Sequence, residues 1–315
     1  MRVLVAPDSF KGTFTAAEVA SLIASGVSGT ATVLPLADGG EGTLDALVPA
    51  LRAQLVDART VDPWHRPITA TFALAGETAV VELARASGLH FGPGDPVSAS
   101  TYGTGLLIAE AIDRGATEVL IAAGGSATTD GGAGAVRALR ESGGTHGARL
   151  TVLTDVTTTF ADAARVFGPQ KGATPEQVAY LTARLHAQAE SLPRDPRGIP
   201  RTGAAGGFSG GLWANVDAAL VDGAGHVLDA LRFESFVEKT DLVVVGEGRL
   251  DGQTGQGKII DAVLRRVGGR VPVVAVVGSV AADLGDYGAN FADVIVASTA
   301  QELRRAGSDL EATAV

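Results

Sequence analysis

Arg2-Val-Leu-Val-Ala-Pro-Asp8, then Thr15-Ala-Ala-Glu18, then Val33-Leu-Pro-Leu-Ala-Asp-Gly-Gly-Glu-Gly-Thr43: this opening stretch decides the fold. Residues 2–6 are a short apolar run of the buried-strand type. Thr15-Ala-Ala-Glu18 is a capping box, and the helix it opens is expected to run to Gly26. Residues 33–36 predict a second strand, followed by an acidic glycine loop and a helix from Thr43 to Gln54. Strand, helix, strand, loop, helix is the start of a parallel sheet, in which ligands gather at the carboxyl ends of strands.

Working outward, residues 57–83 break this rhythm. Asp62-Pro-Trp-His-Arg-Pro67 is a turn cluster, and 68–74 and 78–83 flank Ala-Gly-Glu as a hairpin pattern. The α/β alternation returns with a helix at 104–114, a strand at 118–122, a helix reaching Glu141 and a strand at 150–153. Thr174-Pro-Glu-Gln177 is a second capping box, with Pro at the first helical position, opening a helix to Leu192. A Pro/Gly-rich loop spans 193–211, and helical segments are expected from there to Lys239. Strands are expected at 241–245, 273–277 and 293–297, with a helix at 258–267. The expected fold is α/β with two domains. One is a parallel-sheet domain built from both chain ends, 1–56 and 235–315, and the other is an inserted mixed α/β domain, 57–234.

The 42 glycines are nearly double the usual share of about 7%. The excess sits in a few loops, chief among them 37–43, 124–132, 203–211 and 246–258, so collagen-like and low-complexity readings fail. Glycine lets backbone N–H groups turn toward a ligand at close range, and a carboxylate beside such a nest can hold Mg²⁺ against phosphate oxygens. The loop at 203–211 carries no charged residue and reads as a wall or hinge rather than as chemistry.

Composition narrows the classes. The net charge of −10, with no basic stripe, argues against a nucleic-acid partner. The absence of cysteine excludes disulfides, thiolate nucleophiles and Cys-type zinc sites. The five histidines are scattered without metal-ligand spacing. The N-terminus turns polar too soon for a signal peptide, and the longest apolar run, Val271–Val277, reads as a buried strand. A cytoplasmic protein with no membrane partner is expected.

Two phosphate-binding patterns are tested and fail. Gly252-Gln-Thr-Gly-Gln-Gly-Lys258-Ile259 approaches the P-loop, but Ile259 stands where a Mg²⁺-holding Ser or Thr is required. Gly103-Thr-Gly105 lacks the third glycine of a dinucleotide fingerprint. Other clusters remain. Gly124-Gly-Ser-Ala-Thr-Thr-Asp-Gly-Gly132 follows a strand and precedes a helix, and can cradle phosphates or serve only as a tight turn with a helix cap. Asp38 and Glu41 can share a cation or merely complement a helix N-terminus. Asp8, Ser9 and Lys11 follow the first strand, in the usual ligand crevice, and Arg249 is suited to a carboxylate or phosphate.

At these residues the chain resembles the bacterial type I glycerate kinase family. The matches are Ala6–Gly12, Ala37–Thr43, Ala86–Leu89, Gly103–Gly105, Gly124–Gly134, Arg165–Ala173, Gly203–Gly207, Gly246–Asp251 with Gln253-Thr254, and Gly257-Lys258, in the family's order. The chain departs where family members carry several tens of residues more than Ser142–Arg149, and where Asp155-Val-Thr-Thr-Thr-Phe160 replaces Asp-Val-Thr-Asn-Pro-Leu. The resemblance implies ATP- and Mg²⁺-dependent phosphorylation of D-glycerate, with 2-phosphoglycerate as the favoured product, and an active site in a cleft between two α/β domains. On that reading the nucleotide lies on Gly124, Gly125, Ser126, Thr128, Asp130 and Gly131, and the metal on Asp38 and Glu41. Lys11 or Lys258 stabilises the transferring group. Asp8, Asp155 or Asp251 orients the hydroxyl or takes its proton. Ser9, Lys171 and Arg249 hold the substrate. A kinase for a related small hydroxyacid, such as tartronate or threonate, and a catalytically degenerate nucleotide- or hydroxyacid-binding regulator are the alternatives. A monomer and a homodimer both stay open.

Overall fold

The computed structural model describes residues 1–251, 259–281 and 284–313. The chain divides into two compact units, Met1–Asp38 with Ala224–Val315, and Gly39–Gly223. It opens with β1 (Arg2–Pro7), α1 (Ala16–Ala24) and β2 (Thr30–Val33). The capping box at Thr15 forms in both directions: the Glu18 N–H donates to the Thr15 hydroxyl, and the Thr15 N–H donates to the Glu18 carboxylate at 2.8 Å. β2 ends where the expected strand began. Pro35 has no N–H, so Leu34 and Leu36 continue beside β1 only as single bonds to the carbonyls of Val5 and Pro7, both 2.9 Å.

The second unit follows as α2 (Thr43–Leu51), β3 (Gln54–Val61), β4 (Pro67–Ala75), β5 (Thr78–Glu82), α3 (Ala84–Ser87), α4 (Tyr102–Asp113), β6 (Glu118–Ala122), α5 (Ala133–Glu141), β7 (Arg149–Thr154), α6 (Ala163–Phe167), α7 (Pro175–Ser191), α8 (Phe208–Val216) and β8 (Ala219–Asp222). The chain then returns to the first unit with α9 (Gly223–Ala230), α10 (Phe233–Val237), β9 (Leu242–Glu247), α11 (Ile259–Val267), β10 (Val273–Val277), β11 (Asp293–Val296) and α12 (Ala300–Thr313).

In the first unit the sheet runs β11-β10-β9-β1-β2 and every pair is parallel. Counted within the unit, this is the order in which the winding direction reverses beside the first strand. The switch point lies between β1 and β9, whose ends are level, with Pro7 opposite Gly246. Ligands of open α/β sheets bind outside the carboxyl ends at such a point. Val3, Val5, Val244, Val274 and Val276 pack beneath Val19 and Ile23 of α1 and Leu303 and Leu310 of α12.

In the second unit the sheet runs β3-β4-β5-β6-β7-β8. The first three strands are antiparallel and the rest parallel. The expected hairpin is β4–β5. β3 was not expected: it is an edge strand with only Ala58 and Thr60 buried, so it lacks the apolar run that marks an interior strand. β8 lies where only helices were expected. α2 stops at Leu51 because Arg52 turns to φ 51°. The unit boundaries fall at 38/39 and 223/224. α2 packs on β4 and β5, and β3 pairs with β4 along its whole length, so residues 43–56 lie in the second unit. α9 and α10 are tied to α11 through Arg266, which bonds Asp229 at 2.7 Å and also pairs with Glu234. No helix among the described residues is long and apolar enough to cross a membrane.

Candidate active site

In the second unit, β6 runs out at Ala122 and the chain forms the loop 124–132 before entering α5, with Gly132 (φ 73°) at the cap. Neighbouring segments hold this loop from several sides. Ala127 N–H donates to the Ser87 carbonyl at 2.8 Å, and Leu89 N–H to the Gly125 carbonyl at 2.9 Å. Arg184 and Gln188 of α7 donate to the carbonyls of Thr129 and Gly131 at 2.8 and 3.0 Å. The uncharged loop 203–211 is the floor: Gly131 N–H bonds the Gly206 carbonyl, and a Cβ on Gly206 would lie 2.1 Å from the Thr128 oxygen. With the carbonyls of Gly125, Thr128, Thr129 and Gly131 accepting from the protein, four of the loop's own dipoles are engaged internally. Gly125 is the exposed edge of the loop.

Asp130 does not face outward. Its oxygens accept from Thr101 N–H (2.8 Å), Thr101 hydroxyl (2.9 Å), and the N–H groups of Gly132 and Gly134 (both 3.1 Å). It clamps the first turn of α5, where a carboxylate is favoured by the helix dipole. Lys171 is also turned inward. It is 8% exposed and donates to Ser126 Oγ at 3.0 Å and to the Thr128 carbonyl. Burial pushes its amine down to about 7, against the pull of Asp130. Thr128 Oγ1 is buried with no hydrogen-bond partner among the described residues.

The loop 37–43 leads into α2 and its glycines meet the same edge. A Cβ on Gly124 would lie 2.4 Å from Gly40 Cα, so only two glycines allow this approach. Glu41 is exposed, and a Cβ on Gly125 would lie 3.6 Å from its Oε2. Beneath it, Glu82 ends β5 and is 1% exposed. Its carboxylate accepts from Gly42 N–H at 2.5 Å and Arg85 Nε at 3.3 Å, and Arg85 reaches both Asp45 oxygens at 3.1 Å. Gly42 caps α2 and has no side chain, so Glu82 acts as the cap from another strand. The sequence reading did not flag Glu82, because it reads as the polar end of a hairpin strand. Asp155 follows β7, whose last carbonyl, on Thr154, accepts from Arg201 at 2.8 Å.

Burial pushes the Glu82 carboxyl up to about 7, opposed by Arg85 and the Gly42 N–H, with Asp45 adding to the rise. A carboxyl raised above its unfolded value stabilises the fold at low pH and loses that contribution as pH rises through about 7. Relative to Glu82→Gln, wild-type melting temperature is therefore expected to fall between pH 5 and pH 8. Parallel pH-dependence of the two proteins, followed by circular dichroism, would remove Glu82 from this role.

In the first unit, the residues expected at the β1 end do come together. Asp8 N–H donates to the Gly246 carbonyl at 2.9 Å, which ties the β1 and β9 ends. Ser9 N–H donates to Asp8 Oδ1 at 2.6 Å, and Lys11 Nζ lies 3.8 Å from Asp38 Oδ2. Asp8 is 7% exposed. Burial first, then the charges of Asp38 and Glu247, push its carboxyl up to about 7 against the Ser9 N–H and Lys11. After β9, Arg249 is exposed and Asp251 half-buried, with Leu250 bridged to Val280. Lys258 lies outside the described residues. Asp261, on the first turn of α11, receives the Tyr287 hydroxyl at 2.6 Å.

Asp38, whose side chain is 15% exposed, offers hard oxygen donors to a divalent cation. Among the described residues no group of three or more His, Cys, Asp or Glu could cage a metal. A single carboxylate of this kind suits Mg²⁺, which binds through one or two carboxylates and completes its shell with phosphate and water.

The description "Glycerate kinase family" fits residues 3–143 and 142–313, the two segments of the family model's match. The chain belongs to the glycerate kinase family. It is 37% identical to a glycerate kinase of Halalkalibacterium halodurans over 88% of this chain and 85% of that one. It is 34% identical to a glycerate 2-kinase of Escherichia coli (strain K12), over 90% and 87%. A crystal structure described as a glycerate kinase 2 from Salmonella typhimurium LT2 superposes with a TM-score of 0.80 at 33% identity, covering 100% of this chain and 96% of that one. The chain is a kinase enzyme of this family.

Proposed function

We propose that this glycerate kinase family member transfers the γ-phosphoryl group of ATP to D-glycerate and releases ADP and 2-phosphoglycerate. The observation that carries the reading is Asp8: a carboxyl buried at the topological switch point and held near 7, where a general base works best. The names of the relatives, glycerate kinase and glycerate 2-kinase, support the acceptor and the favoured position.

Asp8 would orient the glycerate hydroxyl and take its proton as the oxygen attacks the γ-phosphorus and the bond to ADP breaks. The Ser9 N–H holds Asp8 Oδ1, leaving Oδ2 for the proton. Lys11 would neutralise the transferring group, and Arg249 the glycerate carboxylate, by bidentate pairing. Gly124, Gly125, Ser126 and Thr128 would cradle the nucleotide phosphates. Asp38 or Glu41 would hold Mg²⁺, and the ion would supply charge neutralisation to the phosphates. Asp130 and Lys171 support the loop rather than touch the ligand, and Asp155 and Asp251 are the remaining carboxylates at strand ends.

ADP release coupled to NADH oxidation tests this. D-glycerate with ATP and Mg²⁺ is expected to give turnover well above the rate without acceptor. No acceptor-dependent rate would end the proposal, and a higher kcat/KM for tartronate or threonate in the same panel would move it to a related hydroxyacid.

A further inference from the structure

Lys171 has a surrounding that loop support alone does not require. It ends the turn 169–171, four residues before α7 begins, and α7 is anchored by its capping box and by Leu181, Leu185 and Ala189 against Phe160. The amine is thereby driven under the loop 124–132. Its partners are a hydroxyl and a carbonyl, and among the described residues it makes no ion pair. Asp130 acts on it from the loop, but its oxygens are bonded to Thr101, Gly132 and Gly134. On the α7 side, Arg184 is bonded to Val97 and Thr129 carbonyls. On the α6 side, Arg165 and Asp162 pair with each other at 2.6 Å. The segment 87–89 brings no charge. An ammonium here is only partly neutralised, and a buried charge without a full counter-charge gives up its proton readily.

We propose that Lys171 is a positioning residue that couples nucleotide binding to proton uptake: a phosphate seated on residues 124–128 draws a proton onto the buried amine, and the resulting ammonium clamps Ser126 and Thr128 in the binding conformation. This rests on the reading of 124–132 as the nucleotide loop. As Lys171 donates to Ser126 Oγ, the Ser126 hydroxyl proton is left to point at a phosphate oxygen. The sign follows from the amine's setting. Above about pH 7 the amine without ligand is largely neutral, an anion nearby favours the charged form, and binding therefore takes up a proton.

The test is calorimetric titration of MgADP into the full-length protein between pH 7 and 9, in buffers of different ionisation heat. Wild type is expected to take up a sizeable fraction of one proton, and its affinity is expected to fall with pH. Lys171→Met should bind about tenfold more weakly at pH 7, take up correspondingly less, and converge on wild type toward pH 9. Lys171→Arg, which stays charged, should also lose the uptake, and it carries the test if the methionine variant does not fold. Equal proton uptake in wild type and variants would overturn the role of Lys171. Absence of MgADP binding to wild type would instead overturn the nucleotide reading, and this proposal with it.

Discussion

Asp8→Asn is expected to lower kcat with D-glycerate by about 10²–10⁴-fold, the usual contribution of a general base, with KM for ATP changed by no more than about twofold. The reasoning is geometric. Asn keeps the size of the side chain and an oxygen for the Ser9 N–H, so the β1 end keeps its shape. What it lacks is the ability to accept a proton. The wild-type rate should fall on the acid side as Asp8 becomes protonated, and the residual rate of the variant should lose that limb. Loss of folding is not the expected cause. Asp8 is raised above its unfolded value, so its charge weakens the fold above about pH 7, and removing it relieves repulsion from Asp38 and Glu247. Steady-state kinetics across pH 5.5–9 decide this. A variant with near wild-type kcat would take the base role away from Asp8 and pass it to Asp155 or Asp251.

Gly206→Ala should be the most damaging methyl that can be added to the second unit's loops. The backbone is at φ 66°, which costs an L-residue about 1–2 kcal/mol. The added Cβ would meet the Thr128 carbonyl at 2.1 Å and the Thr129 Cα at 2.5 Å, both backbone atoms that cannot swing aside. Overpacking of this kind adds about 1–3 kcal/mol. The sum, roughly 2–5 kcal/mol, is large beside the marginal stability of a domain. Because the loop displaced is 124–132, whatever folded protein remains should show a raised KM for ATP. Gly198→Ala is the control: no atom lies within 4 Å of its Cβ, and a change within about 0.5 kcal/mol is expected. Urea denaturation of the two variants gives the comparison, and equal midpoints would mean that 203–211 is not the floor of the loop.

The parallel parts of both sheets were legible because interior strands are continuous apolar runs: residues 119–122, 242–245 and 273–277 show nothing else. Both capping boxes were legible because their partners lie three residues apart. β3 was not, since an edge strand buries one face in part and spends the other on polar residues. The four glycine loops were visible, but their division of labour was not. Nothing local in Asp130 shows that its oxygens clasp Thr101 twenty-nine positions away, or in Lys171 that its amine reaches Ser126 across forty-five. Glu82 was missed for the same reason, its partner Gly42 being forty residues earlier. By contrast Asp8, Ser9 and Lys11 follow one strand, and Asp38 the next, so strand order alone brings them close.

³¹P and ¹³C NMR of a reaction mixture containing the protein, ATP, Mg²⁺ and D-glycerate tests the central claim most directly. The expected result is one new phosphomonoester, with carbon–phosphorus coupling that places it on C2 of glycerate, formed in step with ADP. ADP with inorganic phosphate and unchanged glycerate would contradict the claim.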